Sequence, residues 1–281
     1  MTPTGKNISD FEAAHGGPRI KHLEHDLEVE RAKVAMLADV QNVVHVEESK
    51  DNYIRFGLTG DRHTGSLFHH AGAVTGLYEH FQREGIDQVF DTGDILDGHK
   101  MYKGHEFELL DHGLDAQLER VRGSRVTLNT RFITGNHDGS FKSAAGIPVG
   151  KLIELMNPGV YQFLGEEQAR HRWETPNGPF ELMLLHPGGG TAYAISYKPQ
   201  KIVESLEGGT KPDMLAVGHF HKAEHIPSYR NVAVIQTGTL QRQTSFMARN
   251  GLAAHVGGWI VEVWVGGDHN RIRAEFIAIY S

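Results

Sequence analysis

The 281-residue chain contains no cysteine, which removes disulfides, thiolate nucleophiles and sulfur-ligated zinc or iron–sulfur sites from consideration. Any metal must be held by oxygen and nitrogen. No apolar run approaches the roughly 20 residues of a membrane span, and the opening stretch MTPTGKNISDFEAAHGG lacks the apolar centre of a secretory signal. These absences lead us to expect a cytoplasmic protein with no membrane partner. Basic charge is also scarce: 28 Lys and Arg stand against 35 Asp and Glu, a net charge of −7. A polyanion would meet no uniformly attractive surface, so a nucleic-acid substrate would need a local basic patch or metal ions.

What is plentiful is histidine, with 19 residues. Imidazole is both a common metal ligand and a near-neutral acid–base group, so its placement decides its meaning. With 39% hydrophobic and 22% charged residues, the composition is that of a globular protein able to bury a sizeable core.

Residues 1 to about 50 read as an N-terminal extension, partly helical: IKHLEHDLEVERAKVAMLADV sets Leu23, Leu27, Val34 and Leu37 at roughly helical spacing. His15, His22, His25 and His45 in this stretch are expected on the surface or in packing. Residues 51–281 read as one domain. The segments YIRFGLTG, DQVFDTG and RFITG predict strands; HHAGAVTGLYEHFQREG, closed by Gly85, and FELLDHGLDAQLERV predict helices between them. Further helices are expected in VGKLIELM and KPQKIVESL, and strands in VYQFLG, FELMLLHP and DMLAVGHF. The tail segments NVAVIQTG, GGWIVEVWVG and RIRAEFIAIY alternate as antiparallel strands do. The class is α/β in front and β-rich behind, with no linker or repeat.

Polar clusters recur where these strands end, the place at which open α/β sheets gather functional loops. They are TGDRHTGS with Asp61 and His63, DTGDILDG with Asp94, TGNHDGS with Asn136, His137 and Asp138, LLHPGG with His186, and VGHFHKAEH with His219 and His221. Each alone reads as a solvated loop, and TGNHDGS is built of turn formers. Together they supply seven oxygen and nitrogen ligands, enough for two ions if one ligand is shared. A carboxylate can bridge two divalent cations about 3.5–4 Å apart, and Asp94 is the natural bridge.

The ordered pattern D-x-H, G-D, G-N-H-D, H and G-H-x-H, spanning residues 61 to 221, resembles that of the calcineurin-like metallophosphoesterases. The resemblance implies a fold of two packed mixed β-sheets forming a sandwich flanked by helices, in four αββα layers. It also implies that Asp61, His63, Asp94 and His221 hold one ion, and Asp94, Asn136, His186 and His219 the other. His137 would stay unligated and face the substrate as general acid, with Asp138 orienting its ring and favouring its protonated form. The stretch HPGGG after Leu185 departs from the family, many of whose members carry His followed by Gly-His there. The back half is similar, more loosely, to phage and archaeal phosphoesterases that have been likened to repair exonucleases and to the small subunit of archaeal polymerases.

The activity so implied is that of a dinuclear metal-dependent phosphohydrolase acting on a phosphate ester, foremost a phosphodiesterase, with nuclease as its narrower form. Two divalent ions would lower the pKa of a shared water so that hydroxide attacks in line, and a positioned His137 would contribute typically ~10²–10⁴-fold. Four His, two Asp and one Asn suit Mn, Fe(II), Zn or Ni better than Mg, and manganese is the expected ion. The alternative is a catalytically silent binding or scaffold protein, which would have no evident reason to keep Asn136, His137 and Asp94 together.

Other residues carry two readings. Asp97 braces its loop or supports a ligand from behind. Arg62, between two ligands, points away from them into a salt bridge or else contacts phosphate. His99, Lys100, Lys103 and His105 are solvated or contact a phosphate backbone. Gln241, Arg242 and Arg249 line the cleft or merely follow a strand. Trp259 and Trp264 are expected in sheet packing.

Overall fold

The structure is a computed structural model that describes residues 44–280; the helix expected before residue 44 lies outside them. Twelve strands form two six-stranded sheets among the described residues. The first sheet comprises β2 (Tyr53–Thr59), β3 (Gln88–Asp91), β4 (Asn129–Thr134), β5 (Tyr161–Glu166), β11 (Gly257–Trp264) and β12 (Arg271–Ala278), in the order β12-β11-β2-β3-β4-β5. Strands β2 to β5 run parallel, and β11 pairs antiparallel with β2 and β12. The second comprises β1 (Val44–Glu48), β6 (Gln168–Thr175), β7 (Gly178–Leu185), β8 (Met214–Val217), β9 (Ala223–Tyr229) and β10 (Val232–Thr237), in the order β1-β6-β7-β8-β10-β9. Here β7, β8 and β10 are parallel neighbours.

The period-2 alternation of the strands sorts their side chains into layers. Phe56, Leu58, Trp259, Val261 and Val263 from the first sheet meet Trp173, Leu182, Leu184, Met214 and Ala216 from the second in the core between the sheets. The intervening residues face helices. On the outer side of the first sheet, α1 (Ala71–Arg83), α2 (Leu114–Arg122), α3 (Asn136–Ala145) and α4 (Val149–Met156) bury Leu77, Phe81, Leu118, Phe141 and Ile153 with Val89, Phe132 and Ile260. On the outer side of the second, α5 (Tyr197–Ser205) packs Val203 among Leu215, Val217 and Val234. A short α6 (Ser245–Arg249) follows β10. This is the expected four-layer αββα sandwich. Trp173 shows how tightly the middle is filled: its ring stacks on Phe56 at 5.6 Å and meets Phe90 edge-on at 5.5 Å, so Trp173→Ala should cost about 3–5 kcal/mol.

Several expectations need correction. FELLDHGLDAQLERV is not one helix: a single 3₁₀ turn, His105–Phe107, precedes α2, and Gly113 at φ 100° breaks the run. Strand β6 escapes the sequence pattern because Arg170 and Arg172 interrupt its apolar character, although Ala169, His171 and Trp173 all point inward. Strand β1 falls within the segment expected to precede the domain, yet it pairs in parallel with β6 from Val44 onward. The polar stretch TGNHDGS is not merely a turn, since Asn136 opens α3. No helix among the described residues is long and apolar enough to cross a membrane.

Candidate metal centre

Parallel neighbours place their carboxyl ends side by side, and that arrangement builds the site. Beyond β2 and β3 the two loops zip together: Asp61 N–H donates to the Gly93 carbonyl at 2.8 Å, and His63 N–H to that of Asp94 at 2.9 Å. Asn136 follows β4, His186 follows β7, and His219 and His221 follow β8. Five of these residues hold a left-handed backbone: Asp61 (φ 52°), His63 (49°), Asp94 (54°), His219 (75°) and His221 (55°). Such a conformation is uncommon for residues with a Cβ, persists only where surrounding structure enforces it, and clusters at functional sites. Among the described residues only nine other than glycine have positive φ, so the strain is concentrated on the candidate ligands. Gly135 is required by closeness rather than by φ, because a Cβ there would land on the Asp94 carboxylate.

The seven predicted ligands converge. His186 Nε2 lies 3.1 Å from Asp94 Oδ2 and 3.0 Å from Asn136 Oδ1, and His219 Nδ1 lies 2.9 Å from the same Asn136 oxygen. On the other side, His221 Nε2 lies 3.4 Å from Asp61 Oδ1 and 3.0 Å from His63 Nε2, while His63 Nε2 is 3.9 Å from Asp94 Oδ2. Asp94 therefore belongs to one group, Asp94–His186–His219, and borders another, Asp61–His63–His221, each with ligand atoms mutually within 4.8 Å. Asp61 also accepts the His219 backbone N–H at 3.0 Å on each oxygen. The backbone N–H of His137, at the start of α3, donates to Asp94 Oδ1 at 2.8 Å, as a carboxylate at a helix N-terminus favours.

The outer nitrogens show whether these residues fit divalent ions. His63 Nδ1 faces Asp97 Oδ1 at 3.0 Å, His186 Nδ1 the Thr92 carbonyl at 2.7 Å, and His219 Nε2 the Gly189 carbonyl at 2.7 Å. Each partner can only accept, so each of these nitrogens carries the proton and the inward nitrogen of the neutral ring is a bare lone pair. That orientation of imidazoles by carboxylates and carbonyls is characteristic of metal ligation. The donor set fits divalent metal, because imidazole nitrogens and buried carboxylates meet at short range; His221 is the exception in its support, its outer Nδ1 being buried without a partner among the described residues.

Electrostatics points the same way. Burial alone would push both carboxyls up, but hydrogen bonding to His221 and its charge hold Asp61 below the ordinary range, and the charge of His186 holds Asp94 well below it. Burial likewise pushes the His186 ring down, and the Asp94 carboxylate outweighs it, raising the group to about 10, so the inward nitrogen takes up a proton that a metal ion would have to displace. The buried carboxylates of this pocket thus favour positive charge on the imidazoles beside them.

His137 and Asp138 behave differently from expectation. His137 Nδ1 donates to the backbone carbonyl of Asp97 at 2.6 Å, which leaves Nε2 free. Burial pushes this ring down to about 4 against the charge of Asp94, so it is neutral near pH 7. The hydrogen bonds of Asp138 go elsewhere. Its carboxylate accepts the backbone N–H groups of Leu96 (2.8 Å), Gly135 (2.9 Å) and Ile95 (3.2 Å), clamping the Asp94 loop to the start of α3. The correction has a helical cause: as the third residue of α3, Asp138 turns back to the N-terminal amides, as acidic residues do there.

Asp97 braces the site from behind, accepting from His63 and from His105 Nε2 at 3.2 Å. His105 is buried, not solvated, and sequence spacing offers no sign of this contact. Arg62 does point away from the ligands: it is buried, ion-pairs with Asp91 at 2.9 Å and donates to the hydroxyls of Tyr78 and Tyr161 at 2.6 Å each. Gln241 lines the cavity above the centre; Arg242 and Arg249 do not. Trp259 is in the core, its Nε1 donating to Gln236 at 3.0 Å, and Trp264 stacks under Arg271. The cavity of about 550 Å³ is lined by His63, Asp94, His137, His219 and His221 and also by Tyr102, Phe246, Met247 and Leu252. No sequence pattern links those four residues to the site.

No protein-family model matches this chain, and no curated protein matches it. Among solved structures the chain is similar to a conserved predicted phosphoesterase of Streptococcus pneumoniae, with 10% identity, 80% of this chain and 90% of that chain covered, and a TM-score of 0.38. Zinc-complexed Vps29 of Entamoeba histolytica has 13% identity, 80% and 99% coverage and a TM-score of 0.37. A hypothetical protein of Pyrococcus horikoshii has 12% identity, 80% and 88% coverage and a TM-score of 0.44. Likenesses this distant add nothing to the chemistry of the centre, which stands on its own geometry.

Proposed function

We propose that the chain is a dinuclear metal-dependent phosphodiesterase. One observation carries the reading: His63, His186 and His219 each have the outer nitrogen tied to an acceptor and the inner lone pair aimed at a pocket that contains the buried carboxylates Asp61 and Asp94. Asp61, His63, Asp94 and His221 would hold one divalent ion, and Asp94, Asn136, His186 and His219 the second, with manganese favoured by the mixed nitrogen and oxygen donors. When bound, such a pair supplies charge for phosphoryl oxygens and a water acidic enough to attack at neutral pH.

The chain's own residues do the rest. Asp138 locks the Asp94 loop to α3, and Asp97 fixes the face that His63 presents. The Asp97 carbonyl sets the His137 tautomer, leaving Nε2 at the cavity floor. A negatively charged phosphoryl group beside that nitrogen favours the protonated ring, which can then hydrogen-bond the departing oxygen. A silent scaffold would have no use for this free nitrogen. Within the class, nucleic acid is the narrower reading of the substrate, and a cytoplasmic setting is retained from the composition.

Hydrolysis of bis-p-nitrophenyl phosphate by the manganese-loaded protein tests the proposal, alongside Asp94→Asn and His137→Ala. The wild type should turn over and bind about two ions per chain. Equal rates in all three proteins would overturn the reading.

A further inference from the structure

The cavity over the centre does not stand alone. It adjoins a second, of about 480 Å³, and Thr191, Phe220, Asn250 and Leu252 line both. The two differ in chemistry. In the first, the rings of Tyr102 and Phe246 stack at 4.9 Å, tilted by 27°, giving the metal centre an apolar, flat-faced neighbour. In the second stand two lysines, Lys198 and Lys222.

Both lysines are half-buried, and neither finds a carboxylate partner among the described residues. Lys222 Nζ donates to the Ala253 carbonyl at 2.9 Å. Lys198 Nζ lies 3.8 Å from where a Cβ on Gly189 would sit, and the Gly189 carbonyl accepts from His219. This ammonium therefore borders the very loop that orients a metal ligand. Lys198 belongs to the first turn of α5, which has no acidic residue and whose dipole adds positive character. Ammonium groups partly withdrawn from water without a counter-charge lose solvation that a single neutral carbonyl does not replace, in a chain where acids outnumber bases. An anionic ligand supplies the missing partner. Tyr193, on the rim of the same chamber, is fully exposed and offers a further flat face.

The centre and the flat apolar wall thus share one cavity, and the two lysines stand in the cavity that adjoins it. A basic groove interleaved with aromatic faces is how single-stranded nucleic acid is held without sequence preference. We propose that Lys198 and Lys222 form a second anion subsite, which takes the neighbouring phosphate of a short single-stranded oligonucleotide whose scissile phosphodiester lies over Asp94 and whose base packs against Tyr102 and Phe246. The proposal rests on the phosphodiesterase reading and specifies its substrate.

The test is fluorescence anisotropy of a dye-labelled thymidine pentamer binding to manganese-loaded protein that carries His137→Ala to slow cleavage. Adding Lys198→Ala with Lys222→Ala should weaken binding by about tenfold or more, and reduce the slope of log K against log salt by about 0.7 for each phosphate no longer neutralised. Lys198→Arg with Lys222→Arg should restore both, which separates lost charge from damaged folding. In the protein with His137 intact, the double-alanine change should lower kcat/KM for the pentamer relative to that for bis-p-nitrophenyl phosphate. Unchanged affinity and salt slope in the double-alanine protein, with bis-p-nitrophenyl phosphate still cleaved by the wild type, would overturn the subsite and leave the phosphodiesterase reading standing. Cleavage of neither substrate by the wild type would overturn that reading, and the subsite with it.

Discussion

The two sheets bring different chemistry to the centre. From the ends of β2, β3 and β4 come Asp61, His63, Asp94 and Asn136, with all of the negative charge; from β7 and β8 come His186, His219 and His221, imidazole alone. Each proposed ion takes ligands from both sides. Under the proposed reading, metal binding would fasten one sheet to the other across the top of the sandwich, linking occupancy to folding. A ligand bound only by the folded state stabilises it by about 2.7 kcal/mol at a concentration 100-fold above its Kd, and added manganese should raise the melting temperature accordingly.

Changes on the first sheet should break this asymmetry most. Asp94→Asn removes the one carboxylate placed between the two groups of ligands, and we expect hydrolysis of bis-p-nitrophenyl phosphate to fall to the buffer rate while the manganese-induced rise in melting temperature disappears. His137→Ala should lower kcat by about 10²–10⁴-fold with metal content unchanged by elemental analysis. A parallel loss of metal would show that this side chain is a ligand instead. Arg62→Met should cost about 3–5 kcal/mol in urea denaturation, because it strands the buried Asp91 carboxylate without its ion pair.

Smaller effects sharpen the comparison. Asp97→Ala frees the outer nitrogen of His63, and calorimetric titration should show manganese binding weakened about 10–100-fold; His186 and His219 of the second sheet, anchored by backbone carbonyls, have no equivalent side chain to remove. The smallest effect concerns pH. Burial, helped by Arg131, pushes His171 down to about 3 in the folded protein, against about 6.5 unfolded. The unfolded state therefore binds the extra proton between these values, so the contribution is complete above about pH 6.5 and is lost on acidification, at most about 1.4 kcal/mol per pH unit. Urea melts of metal-free protein from pH 7.5 to 5 should show this decline, and His171→Gln should flatten it.

Legibility in the sequence follows the range of the forces involved. Helices α1, α4 and α5 and most strands are readable, because periodic burial writes itself into neighbouring residues. Strand β6 is hidden because its outward residues are arginines, and β1 because VHVEE is short and charged. The seven candidate ligands, which the structure brings together, are legible through their ordered motifs. Their supports are not: the Thr92, Asp97 and Gly189 carbonyls that set the tautomers of His186, His137 and His219 are backbone atoms common to every residue. The contact expected between Asp138 and His137 fails for a related reason. Adjacency in sequence places successive residues of a helix about 100° apart, so Asp138 reaches the N-terminal amides rather than its neighbour's ring.

By itself, then, the order of residues determined which side chains are available for metal chemistry and that they end strands, since ligand type and strand periodicity are local properties. Tertiary structure alone decided that the two sheets face each other so that Asp94 meets His186 across the sandwich. It also decided which imidazole nitrogen is bare and that Lys198 and Lys222 share a chamber beside the centre. Those outcomes depend on contacts between segments far apart in the chain, which form only when the core between the sheets closes.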